Sequence, residues 1–446
     1  MRPKYAALAT FIDGPLSAEL GGSSELQQVA SGFQYANADE GALECVDDSD
    51  ERRKMFVIGG TVGPLFDYQQ EVVADALRWL SKGTPRTAMV SMPTGAGKTR
   101  TAAWLCRSVI EAEKAQRVLW VAPSVELIRQ ACDAFRYLWN AFHPSPEVTC
   151  HYGVIPDLYG RASQGACVSF VSTQYAAKNL GRVKAYEATL LVFDEAHQAA
   201  AATYRRLVAE QVGSEKGRVL GLTATPGRSE TGGTSDLAGI FGSQLITPRL
   251  LGENPIGTLR QMGVLCRLEF HRLPLPSHWE SARLVSSETR ASLDELALNP
   301  HRFWSVVNAL APRAAITKSL VFGASIAHCI ALVVALRSRG VRAELISHDM
   351  ADEQRRKTLA QFAVGEISVL VNKGMLATGY DCPLISDIFL ATPVKSAILW
   401  EQIVGRVSRG SAVGGTPVGN VWELDDHRAM HKDVLSYSRY TSEAWG

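Results

Sequence analysis

From about residue 64 the chain alternates short, unbroken apolar runs with longer stretches whose apolar residues return every three or four positions. The first runs are TAMVSM (87–92), RVLWVAP (117–123), ACVSFVS (166–172), TLLVFD (189–194) and RVLGLT (218–223). A strand with water on one side alternates apolar and polar residues, so unbroken runs imply strands covered on both faces. Helices between them make the sheet parallel, which is α/β architecture. After the glycine-rich GRSETGGTSDLAG (227–239) and a turn-rich passage through Pro255 and Pro276, the pattern resumes. SLVFGAS (319–325), RAELIS (342–347), ISVLVN (367–372), ISDIFLA (385–391) and GNVWEL (419–424) form the second set. The pattern predicts two α/β domains, residues 61–250 and 251–446, behind a small N-terminal extension, residues 1–60, whose sequence suits either a hairpin element or an arm.

Length agrees with this division, because 446 residues exceed the roughly 250 to 300 over which one hydrophobic core keeps growing. With 46% hydrophobic and 20% charged residues the composition is that of a globular protein. No apolar run approaches the ~20 residues of a membrane span, and the first residues lack the apolar core of a secretory signal. Eight cysteines are scattered without a C-x-x-C pair, which reads as buried thiols in a reducing cytoplasm rather than a metal knuckle. The net charge of +1 is uneven: residues 1–51 hold two basic against ten acidic residues, a balance of −8 that leaves +9 for the rest. A mildly basic body suits a nucleic-acid partner without requiring one.

The chemistry begins where TAMVSM runs into PTGAGKT (93–99) and then into a helical pattern. Gly95 and Gly97 allow a tight turn whose N–H groups converge on phosphate oxygens at a helix start, with Thr94 and Ala96 completing the loop. Lys98 would reach the β- and γ-phosphates and the Thr99 hydroxyl would hold Mg²⁺, so the expected cofactors are ATP and Mg²⁺. The full phosphate-loop pattern starts with glycine, and here Met92 stands in that place. TLLVFDEAH (189–197) delivers two adjacent carboxylates at the C-terminal end of a buried strand, the edge at which open parallel sheets bind ligands. Asp194 is the candidate Mg²⁺-side carboxylate and Glu195 the candidate to orient and deprotonate water.

PTGAGKT, DEAH (194–197), TAT (223–225) and QIVGRVSR (402–409), in this order, resemble motifs of superfamily 2 helicases with two RecA-like parallel-sheet domains. YQQEVVADAL (68–77), APSVELIRQ (122–130), TATPGR (223–228), FGASIAHC (322–329), LATGYDCP (376–383) and PVKS (393–396) are similar to the branch of type III restriction motor subunits and phage or bacterial DNA helicases. The resemblance spans about residues 64–410 and implies roles residue by residue. Gln69 would read the adenine edge, although Phe66 and Asp67 stand where the family usually has an arginine. His197, Thr223 and Thr225 would couple the nucleotide site to the nucleic-acid track, and Gly379 and Asp381 would lie near the ribose. Pro123, Ser124, Thr173, Ser325, Asn372 and Thr378 fall where the family touches phosphate backbone.

Arg406 and Arg409, expected three positions apart at a helix start, would meet the charge that develops on the γ-phosphate, and Gln402 would help position water. The implied protein is an ATP-dependent DNA helicase. A duplex-DNA translocase within a restriction or defence assembly, or an RNA-dependent ATPase, is the alternative. A protein partner would supply specificity or nuclease activity, since no nuclease constellation is apparent. His427 and His431, one helical turn apart, read as surface residues for want of further ligands.

Overall fold

A computed structural model describes residues 64–82, 84–112, 117–141, 148–156, 165–227, 233–273, 275, 297, 299–377, 382, 384–394, 396–424 and 445. The extension 1–60, Thr378, Gly379, Asp381, His427 and His431 lie outside the described residues. The chain divides into two compact units, one built on residues 64–262 together with Trp445, the other on residues 263–377 and 382–424. The division follows Met262, later than residue 250, because the short helix Pro255–Gln261 belongs to the first unit: Leu259 is buried and the Thr258 hydroxyl donates to the Leu251 carbonyl at 2.8 Å.

In the first unit the order is α1 (Asp67–Ser81), β1 (Thr87–Ser91), α2 (Lys98–Ala112), β2 (Arg117–Ala122), α3 (Val125–Ala141), β3 (Val148–Tyr152), β4 (Ala166–Ser172), α4 (Thr173–Lys178), α5 (Leu180–Tyr186), β5 (Leu190–Asp194), α6 (Ala202–Gly213), β6 (Arg218–Thr223), α7 (Gly233–Ile240), β7 (Leu245–Ile246) and α8 (Pro255–Gln261). The strands form one seven-stranded sheet in the order β3-β4-β2-β5-β6-β1-β7, and every pairing is parallel. β1 and β5 are buried along their whole length, as strands covered on both faces must be. On one face Phe135 of α3 meets Phe170 and Trp139, and Trp120 meets Phe170. The other core gathers Phe193, Tyr186, Leu207, Phe241 and Trp445.

The second unit runs β8 (Arg267–Leu273), α9 (Pro300–Arg313), β9 (Lys318–Phe322), α10 (Ile326–Arg337), β10 (Ala343–Ile346), α11 (Asp352–Val364), β11 (Val369–Asn372), β12 (Ile385–Leu390), α12 (Ala397–Val404) and β13 (Val418–Leu424). Its six-stranded sheet, β10-β11-β9-β12-β13-β8, is again wholly parallel. α10, IAHCIALVVALR, is apolar almost all round and accordingly buried from Ala327 to Leu336, packed with Phe303, Val321 and Phe389. Both units are thus helix-covered parallel sheets, the RecA-like architecture in tandem. Among the described residues no helix is long and apolar enough to cross a membrane.

Candidate active site

The phosphate loop occupies the turn from β1 into α2. Gly95 and Gly97 take φ of 88° and 85°, the left-handed region in which a side chain is strained. At Gly97 space is also lacking, since a Cβ would stand 2.4 Å from Gln69 Nε2. The loop is braced from α1: the Tyr68 hydroxyl and Gln69 Nε2 both donate to the Ala96 carbonyl at 2.9 Å, and Gln69 Oε1 accepts from Phe66 N–H at 3.1 Å. Gln69 is 2% exposed, and its amide is engaged at both ends with the protein. Met92, in the place of the pattern's first glycine, is fully buried, and its N–H donates to the Thr223 carbonyl at 3.1 Å. Thr94, Lys98 and Thr99 remain half-buried along the loop and first turn of α2.

At the end of β5, Asp194 is buried and its Oδ1 accepts from the Glu195 N–H at 3.0 Å, whereas Oδ2 has no hydrogen-bond partner among the described residues. Burial holds its carboxyl well above the usual carboxylate range, the Glu195 carboxylate pushes in the same direction, and Lys98 pulls against both. Lys98 and Asp194 therefore share one electrostatic site. Glu195 adopts φ of 52°, which ends the strand abruptly and starts the 3₁₀ turn Ala196–Ala200. His197 Nδ1 lies 3.3 Å from Glu195 Oε2 and 3.4 Å from Thr223 Oγ1. Thr223 Oγ1 also accepts from Thr225 N–H at 3.0 Å. The first unit thus brings together the phosphate loop, both DEAH-segment carboxylates, His197, Thr223 and Thr225 at the C-terminal ends of β1, β5 and β6.

The second unit positions Arg406 and Arg409 differently from the sequence expectation. α12 carries Gln402 but stops at Val404, so the two arginines are not on a helix: Arg406 lies in a turn after Gly405, and Arg409 forms an antiparallel bridge with Leu265. The cause is a backbone partner that apolar periodicity does not reveal. Cys266 N–H donates to Ser408 O and Gly410 N–H to Val264 O, both at 2.9 Å, and a Cβ at Gly410 would meet the Gly263 carbonyl at 2.1 Å. Arg406 Nε donates to Ala377 O at 3.1 Å, and both arginines stay partly exposed.

The expected backbone-contact residues divide by exposure. Pro123 and Ser124 are half-buried at the start of α3, with Ser124 Oγ accepting from Leu127 N–H at 3.3 Å. Thr173 is 1% exposed and opens α4. Ser325 is buried as the N-cap of α10, its Oγ accepting from His328 N–H at 3.1 Å. Asn372 is fully buried, with Nδ2 donating to Val321 O and Oδ1 accepting from Leu376 N–H. Ser325 and Asn372 also hold a helix start and a strand end through these bonds.

Two family models match consecutive parts of the chain: the Type III restriction enzyme, res subunit, over residues 63–228, and the Helicase conserved C-terminal domain over residues 303–411. These matches, in this order, make the chain similar to the superfamily 2 helicases. Among similar proteins, "Putative ATP-dependent helicase IRC3" of Saccharomyces cerevisiae is 23% identical over 354 residues, 77% of this chain and 49% of that protein. The "ATP-dependent DNA helicase mph1" of Neurospora crassa is 32% identical over 188 residues, 41% of this chain and 15% of that protein. The chain thus spans about half the length of the yeast relative or less of the other. Among solved structures, Saccharomyces cerevisiae Dbp5 bound to RNA and ADP BeF3 matches with a TM-score of 0.57 at 15% identity, covering 95% of this chain and 93% of that one. At that identity the likeness is one of fold.

Tyr68 and the backbone partners at residues 263–266 were not among the residues expected from sequence. Tyr68 lay beside the expected Gln69, and its spacing from the loop gave no sign of the hydroxyl bond to Ala96.

Proposed function

We propose that the chain is an ATP-dependent motor acting on nucleic acid, with DNA as its substrate, and that it unwinds or remodels duplexes. The observation that carries this is the convergence of the braced phosphate loop, Lys98, Asp194 and Glu195 in one unit, with His197 linking Glu195 to Thr223. In this reading the loop N–H groups and Lys98 hold the nucleotide phosphates, Glu195 orients and deprotonates the attacking water, and Arg406, Arg409 and Gln402 act on the γ-phosphate. The unpartnered Asp194 Oδ2 and the buried negative charge around it fit a divalent cation, which Asp194 and the Thr99 hydroxyl would hold. Held there by Asp194 and Thr99, Mg²⁺ would supply charge neutralisation at the phosphates. Glu195 and Thr223 flank His197, so a change at the γ-phosphate reaches Thr223 and Thr225 through one imidazole.

DNA is favoured by the restriction-subunit family that matches the loop-bearing unit and by the Neurospora crassa relative named a DNA helicase. Strand displacement from fluorescently labelled forked DNA, blunt duplex DNA and a matched RNA duplex, with ATP and Mg²⁺, tests the reading. Displacement from forked DNA that Lys98→Ala abolishes supports it. Displacement of RNA alone, or ATP consumption on duplex DNA without displacement, replaces it with an RNA helicase or a duplex translocase.

A further inference from the structure

Trp445 follows the whole second unit in sequence yet belongs to the first. Its indole is 7% exposed and joins the core cluster that includes Leu237, Ala238 and Phe241, and its Nε1–H donates to the Pro226 carbonyl at 2.8 Å. Pro226 continues the segment TATP, whose other end is held by Thr223, through its hydroxyl contacts with Thr225 N–H and His197. The segment is therefore clasped at both ends. Thr223 ties it to the DEAH turn, and Trp445 ties it to a part of the chain reached only after β13. Proline offers no N–H of its own, and its carbonyl faces a core, so an indole donor satisfies a polar atom that burial would otherwise leave costly.

We propose that Trp445 is a positioning residue for residues 223–226 and, through them, sets how strongly nucleic acid accelerates ATP turnover. The second part rests on the functional reading above, in which Thr223 and Thr225 couple the two events. The first part stands on the contact itself.

Trp445→Ala and Trp445→Phe in the full chain test it with two measurements. In hydrogen–deuterium exchange without nucleic acid, Trp445→Ala is expected to raise exchange at the Ala224, Thr225 and Gly227 amides about tenfold, with β1 and β5 unchanged. In steady-state turnover, Trp445→Ala is expected to keep basal kcat and the KM for ATP within about twofold while stimulation by nucleic acid falls about fivefold or more, the scale of a weak coupling energy. Trp445→Phe, which fills the seat without the donor, is expected to fall between the two. Unchanged exchange at residues 224–227 overturns the proposal. So does a parallel loss of basal and stimulated turnover, because that is the mark of a general packing role. If the wild-type chain shows no stimulation by any nucleic acid, the functional reading fails, and the exchange result still decides whether Trp445 positions the segment.

Discussion

At the scale of single residues, the site is organised by two kinds of constraint, and each gives a distinct prediction. Gly97 combines φ of 85° with a Cβ position 2.4 Å from Gln69 Nε2, so Gly97→Ala is expected to weaken nucleotide binding by about tenfold or more, measured with a fluorescent ATP analogue. Wild-type affinity in that variant would mean that the brace from α1 is unimportant. Arg406 tests a different stage of the reaction. If it acts on charge that develops only during hydrolysis, Arg406→Ala lowers kcat by about 10³ and leaves the KM for ATP within a few-fold, because ground-state binding does not use it. A rise in KM with unchanged kcat would assign Arg406 to ground-state binding. Residue types were highly legible in the sequence here: Lys98, Thr99, Asp194 and Glu195 could be named from motif and strand context alone. What could not be read was how an amide or hydroxyl is spent. Gln69 and Asn372 look like ligand-facing polar residues in the sequence, yet both ends of each amide bond to the protein, and only three-dimensional neighbours decide that.

At the scale of elements, legibility followed burial. Strands in the sheet interiors were visible as unbroken apolar runs. The strands not anticipated were β3, β7 and β8, all at sheet edges. An edge strand has solvent beside it, so β3 (VTCHY) and β8 (RLEFHRL) mix polar and apolar residues and lose the signal. The arginine pair was expected at a helix start, but Gly405 closes α12 and the backbone turns to pair with Leu265. Strand starts also carry a regularity: Arg86 donates to Val212 O and Ser214 O, Arg117 to Tyr186 O, and Lys318 to Ala363 O. Each cation thereby meets the negative end of a neighbouring helix. Two predictions belong to this scale. Gly221 of β6 faces Phe241 and Ala196, where a Cβ would approach to 2.7 and 2.8 Å, so Gly221→Ala is expected to cost about 1–3 kcal/mol of first-unit stability. Calorimetry checks it, and an unshifted transition contradicts it. In α10, burial and the nearby Arg302 hold His328 down to about 3. The unfolded chain then takes up a proton near 6.5 that the folded chain refuses, so the second unit's stability is full above that value and falls by about 1.4 kcal/mol per pH unit below it. Denaturant midpoints at pH 7 and 5 should separate more in the wild type than in His328→Asn, and equal separations would contradict the assignment.

At the scale of the whole molecule, the chain holds two parallel-sheet units in tandem, matches two family models in the same order, and collects its phosphate loop and DEAH-segment carboxylates in the first unit. The tandem architecture was legible because each unit repeats the same alternation of buried strands and helices. The return of Trp445 to the first unit was not, since a lone tryptophan near a polar stretch has no periodicity to read. The most direct measurement is steady-state ATP hydrolysis with Mg²⁺, alone and with single-stranded, duplex and forked DNA and with RNA, against Lys98→Ala. Turnover that rises several-fold with DNA and disappears in Lys98→Ala is the predicted result. Turnover that no nucleic acid changes, or that survives in Lys98→Ala, would contradict the central claim that this site powers a nucleic-acid motor.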